Sequence, residues 1–136
     1  MKIKYDADIL KYMSLFESLT RSKLKDCIVN DKVLFVVEPN EIGKAIGKNG
    51  SNVRRLEGIL KKRIRIVEFS SDVCQFVRNM IYPLQATDVN EEYGIVTITG
   101  PDTKTKGLMI GRDAKNLNFL KNITKRYFEV EDIKVI

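Results

Sequence analysis

With 136 residues, 24 Lys/Arg against 18 Asp/Glu, a formal charge of +6 and a pI near 9.3, the chain has room for one ordinary domain or two very small ones. It contains no histidine, which excludes His-based triads and His-ligated zinc. Its two cysteines, Cys27 and Cys74, lack a CxxC partner and read as buried free thiols in a reducing cytoplasm, so neither a disulfide, a metal nor another cofactor is expected.

Ile9, Met13, Phe16 and Thr20 recur at helical spacing, which predicts an amphipathic helix from about Asp6 to Leu19. Apolar runs at 26–29 and 32–38 flank Asn30-Asp31 as a two-residue hairpin turn. Pro39-Asn40-Glu41 opens a short helix, because proline is tolerated in a first turn. That helix ends near Ile46 and the chain breaks at Gly47–Gly50. Ser51 or Asn52 is placed to cap the next helix, whose apolar stripe is Val53, Leu56 and Leu60. Arg63-Ile64-Arg65-Ile66 then alternates as a half-buried strand.

The second half repeats this order. Val73, Phe76, Val77, Met80 and Ile81 form a helix stripe, and 86–90 and 95–99 flank Glu91-Glu92-Tyr93-Gly94 as a second hairpin. A short helix at 103–110, a loop at Gly111–Ala114, a helix at 115–126 and a strand at 128–135 complete the unit. Ser70-Ser71 is the candidate linker. The expected fold class is α/β (α+β), with two tandem αββααβ domains, 1–69 and 70–136, each a three-stranded sheet covered by helices.

The repeat is explicit. Ile46-Gly47-Lys48-Asn49-Gly50-Ser51-Asn52-Val53 aligns without a gap to Ile110-Gly111-Arg112-Asp113-Ala114-Lys115-Asn116-Leu117, and Leu56, Ile59 and Lys62 continue as Leu120, Ile123 and Arg126. Carried to the closing strands, the same spacing sets Arg63 and Arg65 against Tyr127 and Glu129.

Charge is shared unequally between the copies. Residues 1–69 hold 15 Lys/Arg and 9 Asp/Glu, whereas residues 70–136 hold 9 of each. A polyanion such as RNA, DNA or an acidic membrane face is the partner class that a basic chain suggests. The N-terminus leads straight into a charged amphipathic pattern and no apolar run approaches bilayer-spanning length. A membrane partner is therefore not expected, and the cytoplasm is.

Glycine lets backbone approach a ligand closely and take positive φ without steric cost. A helix that follows it presents unpaired N–H groups and a positive dipole end, which suits phosphate. Lys48 adds charge, Asn49 donates without a carboxylate's repulsion, and Lys44 and Arg54 lie one turn before and after. Gly43 to Gly47 leaves three residues where a Walker loop needs four, and Asn49 follows the lysine where Ser or Thr is required. The dinucleotide fingerprint G-x-G-x-x-G is also missing. Without histidine, a metal-ligand cluster or a complete nucleotide motif, an enzyme is not expected.

Ile46-Gly47-x-x-Gly50-x-x-Val53 between two helices, preceded by Glu41-Ile42-Gly43-Lys44-Ala45, closely resembles the K-homology (KH) domain in its type II order. The resemblance implies a G-x-x-G loop that clamps the backbone of about four single-stranded nucleotides. It also implies bases lying on an aliphatic groove, to which Ile42 and Ile46 contribute. Two such units, with the stretch from Val33 to Gly50 and the later Lys125-Arg126-Tyr127-Phe128, resemble the archaeal NusA-like transcription factors. That resemblance implies single-stranded RNA binding in transcription elongation or termination, with RNA polymerase as a further candidate partner and a monomer as the expected state.

The candidate RNA-binding residues are Gly43, Lys44, Ile46, Gly47, Lys48, Asn49, Gly50, Asn52 and Arg54, with Arg63 and Arg65 at the far edge of the groove. Gly111, Arg112 and Lys115 are their counterparts in the second copy. There Ala114 replaces the last glycine, and Asp113 repels phosphate unless Arg112 offsets it. Lys61-Lys62-Arg63 reads equally well as a solvated helix end favoured by the C-terminal dipole. The five tyrosines and six phenylalanines do not cluster as a base-stacking platform and are expected mainly in the core. Two alternatives are a KH protein of ribosome assembly or ribosomal RNA, and a KH-fold adaptor for proteins of the transcription machinery.

Overall fold

A computed structural model describes residues 5–136, which divide into two compact units at Ser70 and Ser71. In the first unit, α1 (Ala7–Thr20) starts where the Asp6 carboxylate accepts a hydrogen bond from the Ile9 N–H at 2.8 Å. It ends at Arg21 in the left-handed conformation. β1 (Leu24–Val29) and β2 (Val33–Val37) pair antiparallel, and β3 (Ile64–Glu68) lies parallel to β2 in the order β1-β2-β3. A parallel neighbour cannot be reached through a tight turn. The crossover from β2 to β3 is instead made by α2 (Ile42–Ile46) and α3 (Ser51–Leu60), with the glycine loop between them.

The core of this unit joins all three helices to one face of the sheet. Phe16, Ala45 and Leu56 pack with Cys27, Val33, Phe35, Val37 and Ile64. Phe16 and Phe35 are fully buried and stack with ring centroids 4.3 Å apart. Val53, Leu60 and Ile66 pack against the same cluster from its margin, which places the predicted α3 stripe inward.

Two turns differ from expectation. Val29 pairs with Val33, so the first hairpin turns through Asn30-Asp31-Lys32 and not through two residues; the Asn30 N–H donates to the Lys32 carbonyl at 2.8 Å. Pro39 does not open α2. It occupies the second position of a turn closed by the Glu41 N–H and the Glu38 carbonyl at 3.2 Å, and Asn40 takes the positive φ of +70° that a type II turn demands.

The second unit has the same order: α4 (Val73–Ile81), β4 (Asp88–Glu92), β5 (Ile95–Thr99), α5 (Thr103–Ile110), α6 (Lys115–Tyr127) and β6 (Asp132–Val135). Its sheet runs β4-β5-β6, antiparallel and then parallel. β4 reaches to Glu92, which leaves Tyr93-Gly94 as a two-residue turn with φ of +53° and +81°, the type I′ form. Phe76, Val77 and Met80 of α4 are buried, and the Phe76 ring centroid lies 5.6 Å from those of both Tyr127 and Phe128.

The spacing of 64 residues fails beyond the helices. Lys61 adopts φ +58° and stops α3 after 10 residues, whereas α6 continues for 13 and ends at Tyr127, held against Phe76. β6 consequently begins at Asp132 and not at 128. Tyr127 belongs to a helix and Glu129 to a connection, so neither is the counterpart of Arg63 or Arg65.

Phe16, Phe35 and Phe76 lie in the core as expected, but Tyr82 and Tyr93 are 70% and 95% exposed, Tyr93 because a hairpin tip faces away from its sheet. Cys27 is buried, while Cys74 is only half-buried; burial, reinforced by the Asp72 and Glu91 carboxylates, raises its thiol pKa.

Phe16→Ala should lower stability in urea unfolding by about 3–5 kcal/mol, because it removes a fully buried ring and one side of the stack with Phe35. A loss below about 1 kcal/mol contradicts this packing.

Candidate nucleic-acid interface

The path from α2 into α3 is set by three backbone conformations. Gly47 has φ +79° and ψ 170°, a region that residues with a Cβ hardly enter. Asn49 (φ +55°, ψ 30°) and Gly50 (φ +74°, ψ 19°) are then both left-handed. The turn is closed by the Gly50 N–H donating to the Gly47 carbonyl at 3.1 Å. α3 begins at once, with Gly50 at its N-cap and no side-chain oxygen on its first amides. Neither Ser51 nor Asn52 caps the helix, contrary to expectation. The Ser51 N–H donates to the Lys48 carbonyl, and the amides that follow it, with no side-chain cap, lie at the positive end of the α3 dipole beside Lys48.

Asn52 has another task. Its side-chain amide donates to the Lys44 carbonyl at 3.1 Å, reaching back over the loop to the preceding helix. A Cβ on Gly47 would lie 2.9 Å from the Asn52 Cγ and 2.8 Å from the Ser51 Oγ. Glycine is thus required at position 47 both by torsion and by its neighbour. Gly50 is less constrained, since its Cβ would meet only the Arg54 Nη1 at 3.4 Å. The Arg54 guanidinium donates to the Asn49 carbonyl and braces the loop from α3.

Lys48 and Asn49 are exposed at the tip. Lys44 is exposed one turn earlier and pairs with Glu41 at 3.7 Å. Glu41 is anchored through the Lys23 N–H at 2.6 Å. A surface pair of this length contributes little, so Lys44 can exchange its partner for a phosphate. On the same helix Gly43 is exposed with nothing within 4 Å of a built Cβ, and Ile46 is half-buried beside it. Gly43, Lys44, Ile46, Gly47, Lys48, Asn49, Gly50, Asn52 and Arg54 therefore all lie on α2, the loop and the start of α3.

The two strand arginines stand elsewhere. Arg63 is exposed just before β3, where its carbonyl accepts from the Val33 N–H at 2.9 Å. Arg65 alternates with Ile64 and Ile66, which pack against the helices, so its side chain leaves the opposite face of the sheet. Burial lowers its pKa. The alternating pattern of β3 was legible in the sequence, but not the face that the helices cover.

The second loop follows the same path with different side chains. Gly111 has φ +77° and ψ 172°, Asp113 φ +55° and ψ 32°, and Ala114 φ +58° and ψ 24°. Ala114 keeps the left-handed conformation of Gly50 at a cost of about 1–2 kcal/mol, so the missing glycine does not redirect the chain. The Asn116 amide donates to the Leu108 carbonyl at 2.9 Å, and a Cβ on Gly111 would lie 2.7 Å from the Asn116 Cγ. Arg112, Asp113 and Lys115 are exposed. Where the first copy carries Lys44 and Arg54, the second carries Leu108, 51% exposed, and Asn118. Asn116 is the residue that the sequence reading passed over. Its signal was an asparagine five positions after the first glycine in both copies.

α5, which leads into this loop, is capped by Asp102, whose carboxylate accepts from the Thr105 N–H at 2.6 Å. That bond holds the Asp102 pKa below the usual carboxylate value. The Lys121 ammonium, at 2.9 Å, followed by the Ile133 N–H, does the same for Asp132.

Two αββααβ units, each with a tight glycine loop between the helices that cover a three-stranded sheet, define a tandem of type II KH units. The KH domain family itself matches residues 11–74. Over nearly its whole length the chain is similar to proteins named probable transcription termination protein NusA. It is 32% identical to that of Methanocaldococcus jannaschii, across 99% of this chain and 76% of that protein. It is 33% identical to that of Methanococcus vannielii, across 100% of this chain and 81% of that protein. The crystal structure of APE1850 superposes with a TM-score of 0.77 at 30% identity, covering 97% of this chain and all of the other. The chain belongs to the archaeal NusA family.

Gly47→Ala should destabilise the protein by about 3 kcal/mol, the top of the range for a residue forced into a disfavoured conformation, because its Cβ also meets Ser51 and Asn52, whereas Gly50→Ala should cost about 1–2 kcal/mol, as at Ala114. Equal losses in chemical denaturation contradict the distinction drawn from the two Cβ positions.

For Asp102 the folded pKa is depressed, so its capping contribution is present at neutral pH and is lost as pH falls through the ordinary carboxylate value toward the folded one. Thermal unfolding of Asp102→Asn should fall less steeply with acidification than that of the parent chain. Parallel profiles rule the cap out as a source of acid sensitivity.

Proposed function

We propose that this protein is a non-catalytic, single-stranded RNA-binding factor of transcription elongation and termination, in which α2, the Gly47–Gly50 loop and α3 grip the RNA backbone. The carrying observation is the uncapped N-terminus of α3 beneath a glycine loop, ringed by Lys44, Lys48 and Arg54 on the basic half of the chain. Backbone amides and Lys48 take the phosphates, with Asn49 as a neutral donor. The exposed Gly43 and the edge of Ile46 offer a flat aliphatic surface for bases, whose edges are then open to hydrogen bonding.

In this reading residues 1–69 form the principal RNA-binding domain. Residues 70–136 contribute a second, weaker loop through Gly111, Arg112 and Lys115, where Asp113 reduces the attraction for phosphate. The names of the archaeal relatives support a role at transcription, with RNA polymerase as a further partner of a cytoplasmic monomer. The charge balance of the two halves supports the unequal division between loops.

Titrating a short single-stranded RNA against Lys48→Asp combined with Asn49→Asp tests the grip. Affinity should fall by about tenfold or more, equivalent to about 1.4 kcal/mol. The parent chain should lose affinity with added salt at a slope of about −0.7 per phosphate neutralised. Undiminished affinity in the double variant, or binding indifferent to salt, rejects the loop as the phosphate contact.

A further inference from the structure

We propose that Asn52 and Asn116 are positioning residues that latch each loop to the helix before it and thereby hold the RNA-receiving shape. The inference rests on the RNA-binding reading above and adds residues that act through the loop backbone.

The two copies provide an internal comparison. Lys48, Asn49, Gly50 and Arg54 of the first become Arg112, Asp113, Ala114 and Asn118 of the second, yet the backbone hardly changes. Gly47 and Gly111 agree within 2° in both torsions, as do Asn49 and Asp113. The shape therefore does not depend on the charge of the tip, on a second glycine or on the Arg54 brace. Both copies also keep Gly43/Gly107 and Ile46/Ile110 in the preceding helix, but from the loop into the first turn of the next helix what they share is the first glycine and the asparagine five residues later. In each, the asparagine Nδ2 donates to a carbonyl of the preceding helix, at 3.1 Å to Lys44 and 2.9 Å to Leu108. In each, the side chain occupies the space where a Cβ on the glycine would stand, 2.9 and 2.7 Å from the Cγ.

The chemistry selects asparagine for the task. An N–H donor is needed for the carbonyl, which aspartate lacks at neutral pH. The reach is one methylene, and glutamine would have to fold its extra carbon into the space already filled against Gly47 or Gly111. The last carbonyls of a helix have no intrahelical partner, so the bond also satisfies a group that the loop would otherwise leave to water. The helices on either side of the loop are tied together at the point where the chain reverses. A loop fixed in this way does not pay the ordering entropy when a phosphate arrives.

The test compares Asn52→Ala, Asn116→Ala and the parent chain by two measurements. In RNA-free protein, the backbone amide resonances of Lys48, Asn49 and Gly50 should shift or broaden in Asn52→Ala, and those of Arg112, Asp113 and Ala114 in Asn116→Ala. Strand resonances should stay in place. Affinity of Asn52→Ala for a short single-stranded RNA should fall by about three- to tenfold, the worth of one net hydrogen bond. Its effect should be less than additive with Lys48→Ala, because both act through one loop.

Unmoved loop amides together with a loss of affinity that adds fully to Lys48→Ala would show Asn52 to be a direct RNA contact and overturn the latch. Undiminished affinity in Asn52→Ala, with parent binding intact, overturns it equally while sparing the RNA-binding reading. If the parent chain itself has no affinity for the RNA, the functional reading falls and the positioning role with it.

Discussion

The chain passes from one helix into the next within four residues because Gly47 and Gly111 take a conformation, φ near +78° and ψ near 171°, that a side chain would forbid. That torsion stops the first helix, turns the chain through left-handed residues and starts the second helix with no side-chain cap on its amides. Everything proposed to meet a phosphate stands on this turn or on the helix to either side of it. Gly47 also yields the space that the Asn52 side chain fills, so torsional freedom and close approach are used at one atom. The close approach is made by the protein's own asparagine on that side, which leaves the other side of the loop and the helix N-terminus to a ligand.

The fold explains why this turn lies where it does. β2 and β3 are parallel neighbours and must be joined by a crossover that returns over the sheet. α2 and α3 supply that crossover and bury Ala45 and Leu56 against Val33, Phe35 and Val37. Their junction cannot be buried, because its backbone groups would go unsatisfied. The exposed turn is thus a consequence of the topology, and the second unit reproduces it over β5 and β6.

The copies then diverge in what the turn carries. The first places Lys44, Lys48 and Arg54 around an uncapped helix in a half that holds six more basic than acidic residues. In the second, the lysine and arginine positions before and after the loop become leucine and asparagine, and a carboxylate enters the loop. Its backbone is nonetheless maintained at the expense of Ala114 in a left-handed conformation. Geometry has been kept where chemistry has drifted.

Much of this was readable from the chain alone. Apolar periodicity marked the longer helices and most of the strands, and the gapless repeat located both loops and the short helices before them, because hydrophobic spacing and glycine act locally. The details that escaped are set by distant packing. Periodicity shows that Arg65 and Ile66 point to opposite sides of β3, but only the helices resting on Ile64 and Ile66 decide that Arg65 faces away from them. The longer α6 and later β6 follow from Tyr127 meeting Phe76, 51 positions earlier. Asn52 looked like a helix cap by its position; its amide instead spans eight residues to the Lys44 carbonyl, a partner brought into reach only by the turn between α2 and α3. The sequence by itself determined the element order, the duplication and the basic glycine loop. The tertiary structure alone decided which side chains face that loop and which of them hold it, since a side chain's role depends on which surfaces are brought against it.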